Sequence, residues 1–176
     1  MEQYIYFWGM HSPFSNWHPS KFTIDGTEYT CSEQYYMRQK ALCFGDKKSA
    51  SAIMATSSPG VMKRIGRCVK GFDQSKWDMV KGGVMAKALY AKVCSRCTLV
   101  CYHVLSFFIL VLQFTQNADL RQDLLGTRGK TLVEASPYDR VWGIGLWKSD
   151  PRARQRSTWL GLNLLGELLT KLRETL

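Results

Sequence analysis

The sequence predicts a chain of the α+β class, folded as one domain over residues 1–176, and three observations carry that reading. A length of 176 residues with 45% hydrophobic side chains suffices for one domain with a proper core. Short strand signals stand at 4–8, 21–29 and 131–134. Longer stretches repeat their apolar residues at helical spacing between cap and stop residues.

Taken in order, YIYFW at 4–8 is aromatic and β-branched and predicts a strand. The turn-rich loop 11–20 follows, with Ser15, Asn16 and Trp17, a polar and aromatic mix that can hold a sugar or a base, or simply turn the chain. KFTIDGTEY at 21–29 predicts a hairpin around Asp25-Gly26, a favoured type I′ turn. It leads into TCSEQYYMRQKALCF at 30–44, where Thr30 and Glu33 form a capping-box pattern and Gly45 is a stop residue. On that helix Glu33, Tyr36, Met37 and Lys40 lie along one stripe, so a carboxylate and an amine point the same way. Capping, solvation and packing would explain the same residues.

A helical piece over 46–56 ends at SSPG, 57–60, before a short helix at 61–67. There Lys63, Arg64 and Arg67 would suit a phosphate, or form an ordinary solvated face. Asp73 is a plausible N-cap for a helix with Trp77, Val80, Val84 and Ala88 at helical spacing, and Trp77 reads as a core anchor or as a wall of the site. Residues 114–125 resume helical patterning, with Asn117 as a cap and Gly126 as the stop. TLVE at 131–134 predicts a strand, and nine residues there hold Glu134, Asp139 and Trp142. Asp139 reads equally as a turn residue. A closing amphipathic helix over 163–176 has leucines suited to packing.

The net charge of +10 favours an anionic ligand such as phosphate or nucleic acid. No run of five like charges occurs, which supports a phosphate-bearing ligand, or a merely basic surface, over a dedicated nucleic-acid arm. Six cysteines without regular spacing, behind the N-terminus MEQYIYFWGM, which is no signal peptide, predict a reducing compartment, the cytoplasm or the nucleus. Cys94 and Cys97 form a CxxC, but nothing completes a zinc site, so no metal is expected.

Residues 93–113 break the style of the chain, with three cysteines and one charge, Arg96, inside an amphipathic pattern that would continue if Lys92 met Phe114. The apolar run 98–112 is too short for a membrane span, which needs about 20 apolar residues. The 21 residues correspond to 63 nucleotides, opening on a valine codon, which must begin GT, and closing on a glutamine that CAG can encode, so a retained intron is the expectation. As real protein, the segment would extend a helix with a greasy face and invite aggregation.

FSNW, TCSEQYYMRQK, FTQNADLRQDLLGT, LVEASPYDRVWGIG and NLLG, in this order, resemble the NADAR family, also called YbiA-like. The resemblance covers nearly the whole chain except 93–113, which the family pattern lacks. It implies a compact, mostly helical α+β domain with helices around a small sheet, and N-glycosidase activity. Family substrates are ribosylamino intermediates of the riboflavin pathway or ADP-ribose attached to guanine, with no cofactor, membrane or obligate protein partner. By motif, the site would contain Glu33, Lys40 and Asp139 as catalytic residues. Ser15, Asn16, Tyr36, Trp77, Glu134 and Trp142 would bind substrate.

Breaking a ribosyl C–N bond builds positive charge on the sugar, so a nearby carboxylate stabilises the transition state and orients water. That role falls first to Glu33 and second to Asp139. Trp142 or Trp77 could stack on the departing nitrogen heterocycle. Lys40 has two possible jobs: holding a phosphate or hydroxyl as a cation, or forming a Schiff base at C1 as a neutral amine. A non-catalytic binder of ADP-ribose would keep the aromatics without needing Glu33, and a chain disabled by 93–113 is a third reading.

Overall fold

The computed structural model describes residues 2–94 and 117–176. The fold is α+β, and its described residues group into two compact units, Met1–His18 with Gln122–Leu176 and Pro19–Arg121. Among the described residues, the strands form two pairs.

In the second unit, β2 (Phe22–Ile24) and β3 (Thr27–Tyr29) form the expected antiparallel hairpin, with Phe22 opposite Tyr29. Asp25 and Gly26 have φ of 49° and 73°, the two left-handed residues that a type I′ turn requires. Phe22, Ile24 and Tyr29 point inward and pack with Tyr35, Ala88 and Ala91. Burying these apolar faces joins the hairpin to α1 (Ser32–Cys43) and α4 (Gln74–Val93).

The start of α1 corrects the expected capping box. Cys31, not Thr30, is the N-cap, and it makes no side-chain cap bond. The reach-back comes from Gln34, whose Oε1 accepts from the Thr30 amide at 2.9 Å and from the Thr30 hydroxyl at 3.1 Å. With the helix starting one residue later, Gln34 holds the third helical position and Glu33 is released from capping. The other end matches the Gly45 expectation. Gly45, at φ 71°, donates to the Leu42 carbonyl and Asp46 to that of Ala41, the paired bonds of a Schellman motif.

Asp46 then caps α2 (Lys47–Met54) by accepting from the Ser49 amide. α3 (Pro59–Arg67) begins earlier than expected, taking Pro59 and Gly60 into its first turn, because proline fits a position where no amide hydrogen bond is needed. α1 packs on α2, α3 and α4. Asp73 caps α4 as expected, accepting from the Lys76 amide at 2.9 Å. Of the positions expected to face inward, Trp77 and Ala88 are buried and Val84 is half-buried, whereas Val80 is exposed. Among the described residues, no helix is long and apolar enough to cross a membrane.

Expectations for residues 95–116, including Cys97 and most of 93–113, lie outside the described residues. Val93 closes α4, and Asn117 Nδ2 donates to the Lys92 carbonyl at 2.8 Å and the Lys21 carbonyl at 3.1 Å. Asn117 precedes α5 (Ala118–Leu125), accepting from Arg121 through its backbone carbonyl while its side chain serves those two carbonyls.

In the first unit, β1 (Tyr4–Phe7) runs parallel to β4 (Thr131–Glu134), with Phe7 opposite Glu134. Two short 3₁₀ turns, Pro151–Arg154 and Arg156–Thr158, precede the closing helix α6 (Leu164–Glu174). Val133, Ala135, Ile144, Leu146 and Ala153 form the core here. Arg173 is buried at the end of α6 and donates to the carbonyls of Thr127 and Lys130, which satisfies its guanidinium away from water.

Candidate active site

The expected site residues divide between the two units. Glu33, Tyr36, Lys40 and Trp77 belong to the second, Ser15, Asn16, Glu134, Asp139 and Trp142 to the first.

Within the second unit, α1 supplies Glu33, Tyr36 and Lys40 at spacings of three and four, one stripe of a helix. Glu33 and Tyr36 are each 4% exposed. Trp77 on α4 meets Tyr36 with ring centroids 5.1 Å apart, so the core-anchor reading of Trp77 and its place beside the stripe hold together. Lys40 is half-buried, with Nζ 4.0 Å from the centroid of the Phe72 ring. Burial first, and the nearby Arg67 charge second, lower its pKa below the ordinary lysine value. Ser32, beside Glu33, was not singled out in the sequence. Its hydroxyl oxygen is buried without a hydrogen-bond partner among the described residues, an arrangement that a ligand can satisfy. Nothing in its sequence context separates it from an ordinary first-turn serine.

Within the first unit, the 139–143 segment folds closely over the end of β4. A methyl group at Gly143 would lie 2.8 Å from the Glu134 carbonyl oxygen and 3.0 Å from that of Asp139, so glycine permits this approach. The backbones of Glu134 and Asp139 thereby approach each other around Gly143, next to Trp142. Asp139 Oδ1 accepts from the amides of Val141 at 3.0 Å and Trp142 at 2.9 Å, which shapes the turn. Trp142 is 8% exposed. In the 11–20 loop, Ser15 Oγ accepts from the Trp17 amide at 3.2 Å, and Asn16 Oδ1 is buried with no hydrogen-bond partner among the described residues.

A residue that the sequence reading placed only in a packing helix holds Glu134. Asn163, fully buried, accepts through Oδ1 from the Glu134 amide and donates through Nδ2 to the Leu132 carbonyl, both at 2.9 Å. Its φ of 52° is the left-handed conformation that asparagine tolerates better than most residues, the one local clue to a special role.

The chain as a whole is similar to known proteins. The family model described as the NADAR domain matches residues 6–176. N-glycosidase R617 of Acanthamoeba polyphaga mimivirus is 35% identical over 98% of this chain and 96% of its own. N-glycosidase YbiA of Escherichia coli is 34% identical over 94% of this chain and 82% of its own. The NMR structure of E. coli YbiA superposes with a TM-score of 0.69 at 32% identity, covering 99% of this chain and 85% of that one. A match across both units, in sequence and in fold, makes this chain a member of the NADAR domain family.

Proposed function

We propose that the protein is an N-glycosidase that hydrolyses the bond between C1 of a ribose and nitrogen, with ADP-ribose on guanine in nucleic acid as its substrate. The observation that carries the reading is Glu33, a carboxylate 4% exposed on one helical stripe with Tyr36 and Lys40, in a chain whose relatives are named N-glycosidases. As the C1–N bond breaks, its electron pair leaves with the nitrogen and C1 gains positive charge. A carboxylate in a site with little water stabilises that charge strongly. Water then bonds to C1 through oxygen, and its released proton ends on the departing nitrogen.

Glu33 takes the stabilising and water-orienting role. Asp139, already holding two backbone amides through Oδ1, fixes the turn that carries Trp142 and is the second candidate for that role. Asn16 Oδ1 and Ser32 Oγ are buried acceptors suited to ribose hydroxyls. Tyr36 and Trp77 are the aromatic candidates of the second unit for the sugar or the base, and Trp142, with the polar Ser15 and Glu134, those of the first. Lys40 either binds a phosphate as a cation or attacks C1 of the opened sugar as a neutral amine. Its lowered pKa raises the neutral fraction at a given pH, which the second job needs.

The charge of +10 favours the nucleic-acid substrate over a ribosylamino-pyrimidine carrying one phosphate. The test is mass spectrometry of products from a guanine-ADP-ribosylated oligonucleotide, with Glu33→Ala as control. Wild type is expected to release free ADP-ribose and an intact oligonucleotide. Glu33→Ala is expected to bind the nucleotide without turnover. No release by folded wild type would move the substrate to the ribosylamino-pyrimidines.

A further inference from the structure

The positive charge is concentrated in one part of the second unit. Residues 38–72 hold eight lysines and arginines against one acid, Asp46, a net +7 of the chain's +10. They come from the end of α1, the start of α2, α3 and the turn after it. That is why no like-charge run marks them in the sequence.

The turns on either side of α2 and α3 form an open cleft of about 410 Å³, lined by Phe44, Lys47, Lys48 and Lys70 with Asp46 and two glycines. Those glycines, Gly45 and Gly71, have φ of 71° and 67°, so the cleft edges are set by left-handed turns that other residues strain to adopt. Phe44 meets Phe72 edge to face at 5.3 Å, and Phe72 is 39% exposed. Lys40 stands over the Phe72 ring, and Arg67 lies within electrostatic range of Lys40.

Two features separate this face from an ordinary solvated one. Elsewhere the lysines and arginines often pair, as Lys21 does with Glu28 and Lys87 with Asp25. Among the described residues, Lys47, Lys48, Arg67 and Lys70 form no ion pair. The single acid, Asp46, spends both oxygens inside the turn, on the Ser49 amide and hydroxyl and the Lys70 amide. Its hydrogen bonds are committed to the fold, and the charge of Lys70 acts on it only as the smallest of the causes that lower its pKa.

We propose that this face binds single-stranded nucleic acid, with Lys47, Lys48, Arg67 and Lys70 on successive phosphates and the Phe44–Phe72 pair stacking an unpaired base. Cations without ion-pair partners around an open cleft suit a polyanion, and the exposed Phe72 ring beside the half-buried Phe44 suits a base that is not already stacked in a duplex. The inference goes beyond the glycosidase reading, because it requires neither ADP-ribose nor turnover.

The test is fluorescence anisotropy of a labelled, unmodified oligodeoxythymidylate titrated with the full chain at several salt concentrations. Wild type and Glu33→Ala are expected to bind equally, with affinity falling linearly in log–log against salt. Lys47→Ala/Lys48→Ala/Lys70→Ala is expected to lower affinity about tenfold or more and to flatten the salt slope. Phe72→Ala is expected to lower affinity about tenfold with the slope unchanged. Circular dichroism of each variant confirms that it is folded, and Phe72→Leu serves if Phe72→Ala is not. No binding by wild type at low salt, equal binding by the lysine variant, or tighter binding of a duplex of the same length would overturn the proposal. If the oligonucleotide binds and no ADP-ribose is ever released, the reading of ADP-ribosylated guanine as the substrate fails and this one stands.

Discussion

Lys40 is the side chain whose protonation bears most directly on the proposed reaction. Desolvation sets the direction of its shift and Arg67 adds to it, since two neighbouring cations disfavour each other. Replacing Arg67 with alanine removes the second cause, so the pKa of Lys40 moves up. The limb of the pH–rate profile that belongs to Lys40 is then expected to move to higher pH in Arg67→Ala, read from kcat/KM against pH. A rising limb means the neutral amine acts, and a falling limb means the cation does. A limb that stays in place belongs to another group. Borohydride trapping of a Lys40 adduct separates the two jobs independently.

Asn163 supports a second prediction at this scale. Its amide side chain ties the end of β4 to the start of α6 through two buried bonds. Asn163→Ala leaves the Leu132 carbonyl and the Glu134 amide without these partners. The expected destabilisation is about 1–3 kcal/mol for each group left unsatisfied, measured by urea denaturation. Loss of activity beyond the loss of folded protein would mark Asn163 as positioning Glu134.

At the scale of elements, two glycines in helices have opposite prospects. Gly83 lies exposed within α4 with nothing near its missing side chain. Gly83→Ala is expected to stabilise the protein by about 0.5–1 kcal/mol, because alanine loses less backbone entropy on folding. Gly166, in the first turn of α6, faces the Leu132 carbonyl and the Asn163 side chain so closely that a methyl group would overlap both. Gly166→Ala is expected to destabilise by about 1–3 kcal/mol or more. Thermal melts of the two variants check both signs. The contrast also shows why the leucines of 163–176 were legible and the role of its glycine was not. Helical periodicity reports which side faces a neighbour, whereas the distance of approach depends on what that neighbour is.

Capping shows the same limit at the start of α1. Thr30, Glu33 and Gln34 are all competent capping residues, and the sequence pattern pairs Thr30 with Glu33. The structure starts the helix at Ser32 and gives the reach-back to Gln34, which also donates to the carbonyls of Ile53 and Thr56. Those long-range partners decide the competition. Glu33 is left on the stripe with Tyr36 and Lys40, where the proposed chemistry needs it.

For the whole molecule, residues 93–113 pose the main question of composition. Asn117 binds the Lys92 carbonyl, and joining Lys92 directly to Phe114 would place Asn117 four residues after Lys92. That is the spacing at which a side chain reaches a carbonyl one helical turn back. A chain lacking 93–113 is therefore expected to melt in one cooperative transition at a temperature no lower than the full chain, as read by calorimetry. A lower midpoint would show that the segment contributes to the fold.

The sequence by itself determined the α+β class, most of the element boundaries, the type I′ hairpin and the order of motifs shared with the NADAR family. Each is written in local signals: alternation, periodicity, and residues suited to left-handed turns or helix ends. Tertiary structure decided which helix start was used, that Asn163 holds the end of β4, and that cations from four elements meet around the Phe44–Phe72 pair. These depend on residues distant in sequence becoming neighbours in space. Burial, electrostatic range and the closeness of backbone approach exist only once they do.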